Sequence, residues 1–199
     1  MSSITTKRGD DGTADACTER GVRLAKDDAV FDALGTVDEL QCTIGVARCH
    51  LRRDSVTFPE DGINLDNVLE SMQKVLSCTV CVSLLPSCFL ADGKADLLRK
   101  TLEEETAKGE GIAKAMALGS LREFVVPGAS GCLTSAQLHV CRTVCRRAER
   151  TVVHAVSGNG SLATVIPPAL KKALLTYMNR SSDLLFSCAL YVEKYYKEK

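Results

Sequence analysis

The sequence has no excess of charge of either sign, because its 25 Lys and Arg residues balance its 25 Asp and Glu residues. Proteins that bind nucleic acid or a membrane surface through their overall charge carry a clear basic surplus. The sequence also lacks an apolar run close to the roughly 20 residues that a membrane-spanning helix needs. We therefore expect neither nucleic acid nor a membrane as a partner.

The start of the sequence has no apolar stretch of the kind found in targeting signals. Met1-Ser2-Ser3 is followed almost at once by the polar stretch TKRGDDGTAD, from Thr6 to Asp15, which leaves no room for a secretory signal peptide. We expect a cytoplasmic protein, or one of the mitochondrial matrix if a transit peptide is missing from this chain. The ten cysteines fit such a reducing compartment, because a chain of 199 residues without a signal peptide is no disulfide-stapled secreted scaffold.

Half of the cysteines fall at positions that resemble helix core, and we expect their thiols to be buried as small hydrophobes. They are Cys42, Cys78, Cys141, Cys145 and Cys188. The segment from Cys78 to Cys81 also matches C-x-x-C. No second cysteine pair and no nearby histidine pair accompanies it, so zinc binding is not predicted.

Several catalytic motifs are missing. The N-terminal stretch contains no G-x-x-x-x-G-K-[ST] and is therefore not a Walker A loop. No Glu-x-x-His occurs, which disfavours a ferritin-like di-iron bundle. Neither a nucleophile elbow nor a Cys–His pairing stands out, so the residues do not predict a protein nucleophile.

Apolar residues recur at spacings of three and four in long segments, which is the pattern of amphipathic helices. No alternating, β-branched run competes with them. Pro168 suits the first turn of the last segment. We predict an all-α protein, a single domain over 1–199 in which a five-helix antiparallel up-down bundle over 27–199 follows a flexible N-terminal segment over 1–26. The clearest predicted core stripe is Leu138, Cys141, Cys145, Ala148, Val152 and Ala155.

One predicted helix carries a row of arginines. Arg142, Arg146 and Arg150 recur every four residues and share one face, with Arg147 and Glu149 beside them. Like charges at this spacing repel one another, so the row does not stabilise the helix. Planar guanidinium groups bind phosphate oxygens bidentately. A solvated basic face and a polyphosphate site are both open interpretations of this row.

Two other helices place polar side chains on one face or among apolar residues. Asn179, Asp183 and Phe186 share a face of the last helix, as a surface row or as the wall of a cleft. Asp38 and Glu39 stand among apolar residues of the first helix. A carboxylate there lies at the surface or, if buried, needs a partner, which the arginine row could supply.

Two loops carry further candidate residues. Phe124 opens the segment FVVPGAS before the arginine helix, and its ring either packs in the core, which is the default, or projects into a pocket. In the N-terminal stretch, Gly9 and Gly12 allow close approach of the backbone, while Lys7 and Lys26 can neutralise phosphate.

These motifs together resemble one family. The segments TKRGDDGT, KDDAVFDALGTVDEL, FVVPGAS, HVCRTVCRRAER and YMNRSSDLLF occur in the order found in PduO-type ATP:cob(I)alamin adenosyltransferases. The match covers most of the chain. The resemblance implies a homotrimer of ferritin-like five-helix bundles with active sites between adjacent subunits. It also implies transfer of the 5′-deoxyadenosyl group of ATP to the cobalt of cobalamin, with Mg²⁺ present and triphosphate leaving.

The resemblance implies that ATP lies between the N-terminal segment of one subunit and the arginine helix of its neighbour. Arg142 would pair with Asp38 across the subunit boundary. Phe124 would stand beneath the corrin and exclude the lower axial ligand, with Phe186 in the same apolar wall. Arg146 joins Asp38, Phe124 and Arg142 as a catalytic candidate. The implied nucleotide-binding residues are Thr6, Lys7, Arg8, Gly9, Ala14, Asp15, Lys26, Arg146, Arg147, Glu149, Arg150 and Asn179. Further implied partners are a corrinoid reductase and an adenosylcobalamin-dependent enzyme.

The sequence departs from the family pattern in a few places. Arg8 stands where the family usually has a small hydroxyl residue, Ala129 replaces a second glycine, and Ser181 replaces a common leucine. Two loops are also longer than usual. These changes motivate an alternative function, that of a non-catalytic corrinoid chaperone. A structural helical bundle with a basic face is the third hypothesis.

Overall fold

The computed structural model describes residues 7–17, 22–54, 56–60, 62–85, 93–119, 124–158 and 162–196. Over these residues the chain forms five helices and one two-stranded sheet. The helices are α1 (Ala29–Arg53), α2 (Leu65–Val75), α3 (Lys94–Ala115), α4 (Leu133–Val156) and α5 (Pro168–Tyr195). The strands β1 (Thr13–Cys17) and β2 (Val22–Ala25) precede α1 and pair antiparallel.

The helices pack as an antiparallel bundle, in which α1 lies on α4, α4 on α5, and α5 on α3. Asp54 at the end of α1 contacts Thr134 at the start of α4, whereas Glu39 in the first half of α1 contacts Arg147 in the second half of α4. The all-α fold class is thereby confirmed. No helix in the described ranges is long and apolar enough to cross a membrane.

The core contains the apolar stripes that the spacing predicts. Every residue of the predicted α4 stripe, from Leu138 to Ala155, is buried. The last helix begins at Pro168, as its fixed backbone angle favours for a first turn. Because the apolar stripe of α4 faces the core, Arg146, Arg147 and Arg150 lie on the side of the helix that faces solvent.

The prediction of five buried core cysteines is wrong for two of them. Cys141, Cys145 and Cys188 are buried, and burial raises the pKa of the Cys141 thiol to about 11. Cys42 and Cys78 are exposed. Cys78 lies in a π-helical turn, Leu76–Val80, through which α2 continues to a last helical turn, Cys81–Ser83. The wider turn changes which residues face inward, and a 3.6-residue pattern cannot anticipate it.

The two-stranded sheet was not predicted. Its strands have five and four residues, so neither offers enough apolar positions to show an alternating pattern. Thr13 pairs with Ala25, and Asp15 pairs with Arg23, with an irregularity between Asp15 and Cys17. The sheet gives part of the N-terminal segment a defined backbone ahead of the bundle.

A polar network joins α1 to α2. Arg48 Nε donates to Asp66 Oδ1 at 2.8 Å, and Arg48 Nη1 donates to Gln73 Oε1 at 2.9 Å. Arg52 Nη2 reaches the second oxygen of Asp66 at 2.9 Å. Hydrogen bonds from Arg48, and then from Arg52, lower the pKa of Asp66 to about 2. The charged carboxylate is therefore favoured in the folded state.

Candidate active site

The arginine row lies on the exposed face of α4, as its spacing predicts. Arg146, Arg147 and Arg150 are exposed, whereas Cys145 and Ala148 between them are buried. Arg150 Nη1 donates to the backbone oxygen of Arg146 at 3.0 Å. Arg147 forms an ion pair with Glu39 of α1. The face thus presents closely spaced guanidinium groups to solvent, held on a rigid helix.

Glu149 and Asn179 are brought together across two helices. Asn179 Nδ2 of α5 donates to Glu149 Oε1 of α4 at 3.0 Å. This bond fixes the Glu149 carboxylate next to the arginine row. Asp183, one turn after Asn179, accepts a hydrogen bond from Arg180 at 3.1 Å. The predicted face of α5 therefore adjoins the row.

Arg142 occupies a less exposed position than the other arginines. Its guanidinium carbon lies 5.7 Å from the centroid of the Phe186 ring. Its Nε atom is buried and has no hydrogen-bond partner in the described part of the chain. A buried donor without a partner is costly, so this group is suited to a partner from outside the chain. The structure gives no contact between Arg142 and Asp38 within the chain, and Asp38 is exposed. Their pairing across subunits stays a prediction.

His139 is a neighbour of this group that sequence reasoning did not single out. Its ring lies 5.8 Å from that of Phe186, and both ring nitrogens are buried without a hydrogen-bond partner among the described residues. Burial, and then the charge of Arg142, lower the pKa of His139, which favours the neutral imidazole. The sequence did carry one signal for this residue: His139 lies three residues before Arg142 on the same helix, so the two side chains share a face.

The cations and glycines of the N-terminal segment are close together. Lys26 Nζ donates to the backbone oxygen of Gly9 at 2.6 Å. A Cβ atom at Gly9 would lie 3.0 Å from that nitrogen, so the absence of a side chain permits the approach. Lys7 has a positive φ of 57° and is exposed. Arg8 forms an ion pair of 3.1 Å with Asp15, both of them predicted nucleotide contacts. Thr6 lies outside the described residues.

Arg23 organises this segment, and the sequence analysis missed it. Its Nε donates to Thr13 Oγ1 at 2.9 Å, and its Nη1 lies 3.2 Å from Asp15 Oδ1. Its Nη2 donates to Asp11 at 3.2 Å and to the backbone oxygen of Arg8. Arg23 thus links β2 to both β1 and the preceding loop. Ala14, another predicted nucleotide contact, lies in β1 with its backbone paired to β2.

The default expectation that Phe124 packs in the core is wrong. Its side chain is fully exposed, at 102% of the reference area. The loop that follows turns twice, through hydrogen bonds from Ala129 N to Val126 O and from Gly131 N to Gly128 O. Gly128 has a φ of +86°, which favours glycine there. A single exposed aromatic ring is compatible with either a solvent-exposed side chain or a ligand contact.

The comparisons with known proteins agree with this geometry. The family model described as cobalamin adenosyltransferase matches residues 4–192. The chain belongs to the cobalamin adenosyltransferase family. A corrinoid adenosyltransferase from Citrobacter freundii is 36% identical over 95% of this chain and 94% of its own length. The human corrinoid adenosyltransferase MMAB is 35% identical over 94% of this chain and 68% of its own length.

A solved structure supports the same assignment. It is that of a phenylalanine-to-alanine variant of a PduO-type ATP:corrinoid adenosyltransferase from Lactobacillus reuteri, complexed with cobalamin and ATP. It matches with a TM-score of 0.72 at 26% identity, over 96% of this chain and 94% of that one. The resemblance of the sequence to PduO-type adenosyltransferases is thereby confirmed.

In this family member, most of the predicted site residues form two groups within one chain, whereas Asp38 lies on α1 and Phe124 in the loop before α4. One group combines the arginine row with Glu149, Asn179 and Phe186 on α4 and α5. The other lies in residues 7–17 and 22–26. No group of three or more His, Cys, Asp or Glu side chains in the described ranges is placed to hold a metal ion.

Proposed function

We propose that this protein transfers the 5′-deoxyadenosyl group of ATP to the cobalt of cob(I)alamin, giving adenosylcobalamin and triphosphate. The observation that carries the proposal is the exposed arginine row of α4, bordered by the Glu149–Asn179 hydrogen bond, in a chain of this family. Guanidinium groups on a rigid helix suit the oxygens of a triphosphate.

We further propose that the active site forms between subunits of a homotrimer. The N-terminal group of one subunit would face the arginine row of the next, with ATP between them. One observation supports this: Arg142 Nε is buried without a hydrogen-bond partner in the described part of the chain, and Asp38 of a neighbour could supply one. A head-to-tail contact of this kind closes into a ring when the rotation between subunits allows it.

The corrinoid would lie against Phe124 and Phe186. An exposed ring at Phe124 can cover the lower face of the corrin and keep the axial ligand and water from the cobalt. Phe186, half-buried beside Arg142 and His139, extends the apolar wall. Without the lower ligand, Co(II) is more easily reduced to Co(I), which is the nucleophile in the proposed reaction.

The proposed chemistry needs no base or nucleophile from the protein. Cobalt attacks the 5′-carbon of ATP, the bond from that carbon to the triphosphate oxygen breaks, and the triphosphate leaves. The chain positions the two substrates and stabilises the negative charge on the leaving group, through Lys7, Lys26, Arg146 and Arg150. Mg²⁺ would be held chiefly by the triphosphate and water, as is usual for this ion at phosphate sites. It would supply further neutralisation of the leaving charge.

The experiment that tests this function is conversion of reduced cobalamin to adenosylcobalamin with ATP and Mg²⁺, under conditions that maintain Co(I). The wild type should turn over, and Arg146→Ala should lose at least a hundredfold in kcat/KM, the scale of losing one charge-stabilising donor. Arg53→Ala is the matched control, because Arg53 is exposed at the end of α1, away from the row. Tight corrinoid binding without turnover would instead support a corrinoid chaperone.

The cellular setting follows from the same proposal. A corrinoid reductase would supply the reduced cobalt, and an adenosylcobalamin-dependent enzyme would receive the product. The free thiols suit a reducing compartment, the cytoplasm or the mitochondrial matrix.

A further inference from the structure

The loop that carries Phe124 is tied to the end of the last helix. Ser130 Oγ in this loop donates to Glu193 Oε1 of α5 at 3.2 Å. Ser130 Oγ also accepts a hydrogen bond from Cys132 N at 3.4 Å, at the junction with α4. The two turns between Phe124 and Ser130 make the loop compact, so fixing Ser130 restricts where the ring can lie.

The same carboxylate oxygen holds the first turn of α4. Ser135 Oγ donates to Glu193 Oε1 at 2.9 Å, and Ser135 is buried. Glu193 therefore joins three elements: the loop, the start of α4 and the end of α5. Hydrogen bonds to an ionised acceptor are stronger than those between neutral groups.

A second carboxylate holds the helix but not the loop. Asp54 Oδ2, at the end of α1, accepts from Thr134 N at 2.9 Å and from Thr134 Oγ1 at 2.7 Å. This arrangement satisfies a backbone N–H at the start of α4, which has no side-chain cap of its own. The start of α4 is thus fixed independently of Glu193, whereas the loop depends on the bond to Ser130.

The exposed ring cannot hold the loop by packing. Phe124 is fully exposed, and Val126 is 67% exposed. Apolar burial normally fixes a loop, and of residues 124–126 only Val125 is partly buried. The contact of Ser130 with Glu193 is therefore a polar anchor that adds to this limited packing.

We propose that Glu193 is a positioning residue, which holds the Phe124 loop against the bundle through Ser130, so that the ring can displace the lower axial ligand of a bound corrinoid. This inference rests on the proposed function. Glu193 itself touches no substrate in this account.

The first test compares Glu193→Ala with the wild type for ATP affinity, melting temperature and the fraction of bound cob(II)alamin without its lower ligand, read from the electronic spectrum. We expect the Kd for ATP to change less than twofold and kcat/KM to fall about tenfold, as for a lost hydrogen bond to a charged group. The fraction of bound cob(II)alamin without its lower ligand should also fall. A folded Glu193→Ala that keeps the wild-type fraction would overturn the proposal.

Two variants separate the loop contact from other effects. Ser130→Ala removes only the loop side of the contact and should resemble Glu193→Ala, without further loss when the two are combined. Glu193→Gln keeps an oxygen that accepts from both serines and should retain most activity. Ser135→Ala is the matched control, because it removes the bond between α4 and Glu193 and leaves the contact of the loop with Glu193 in place. A Gln variant as impaired as Ala, or a Ser135→Ala as impaired as Ser130→Ala, would overturn the role of the loop contact.

A readout independent of catalysis distinguishes failure of this inference from failure of the proposed function. The sequence contains no tryptophan, so Phe124→Trp introduces a single tryptophan at the loop, which can be excited selectively over the four tyrosines. Its anisotropy should fall when Glu193→Ala is added and should stay unchanged with Glu193→Gln. Unchanged anisotropy with Glu193→Ala would refute the anchoring. If the wild-type protein does not convert cobalamin, the proposed function fails while the anisotropy still decides whether Glu193 holds the loop.

Discussion

Replacing Phe124 by alanine should separate an effect on substrate binding from an effect on stability, because the side chain is fully exposed. Phe→Ala in a core typically costs about 3–5 kcal/mol of unfolding free energy. Phe124 buries nothing within the chain, so the change in unfolding free energy should stay within about 0.5 kcal/mol. Any loss of function in this variant would then come from a change in substrate binding and not from unfolding.

The expected loss follows from the area that the ring can offer a corrin. A phenylalanine side chain can bury about 150–250 Å², and one face against the corrin is about half of that. At about 25 cal/mol per Å², roughly 100 Å² is worth ~2.5 kcal/mol, or nearly a hundredfold in an equilibrium constant. We therefore expect Phe124→Ala to destabilise the bound corrinoid that lacks its lower ligand by about this free energy.

The assay is the electronic spectrum of cob(II)alamin with protein and ATP, with urea unfolding in parallel. Phe124→Ala should bind ATP normally and fail to produce the spectrum of cobalt without its lower ligand. Phe124→Leu, which restores part of the apolar area, is the graded control and should lie between the two. A Phe124→Ala variant with an unchanged spectrum would refute the role assigned to the ring.

Three further changes test other parts of the account. Asp66→Asn should lower the unfolding free energy by about 1–2 kcal/mol at pH 7, measured in urea, because hydrogen bonds to a charged carboxylate are lost. Since the pKa of Asp66 is lowered from 3.8 to about 2 in the folded state, this difference should be complete above about pH 5 and be lost progressively as the pH falls through both pKa values to about pH 1. Arg142→Glu should abolish transfer, and adding Asp38→Arg should restore part of it if the two pair; no recovery would contradict the pairing. Asn179→Ala should weaken ATP binding about tenfold at unchanged melting temperature, as isothermal titration can check.

The bundle could be predicted from the sequence because its core follows the regular period of α-helices. Leu138 and Ala155 bound an unbroken stripe, and all of it is buried. The prediction failed where the period changes, in the π-helical turn that exposes Cys78. It failed also at the sheet, whose strands are too short to show an alternating pattern and are cross-linked by Arg23.

The site was predicted in part for a similar reason. Spacing alone places Arg146 and Arg150 on one exposed face, because both lie on one helix. Contacts between distant segments have no such signal. The Glu149–Asn179 hydrogen bond joins residues 30 positions apart, and Glu193 lies 63 positions from Ser130. The exposure of Phe124 was likewise hidden, because composition favours an aromatic ring in the core.

The central claim is that ATP is bound between the N-terminal segment of one subunit and the arginine helix of the next. Mixing two inactive variants tests it most directly: one carries Arg146→Ala, and the other carries Lys7→Ala together with Lys26→Ala. If sites form between subunits of a closed ring, co-refolding the two in equal amounts restores intact residues to about a quarter of the sites, and transfer activity returns to match. Mixed assemblies that form, yet stay as inactive as either variant alone, would contradict the claim.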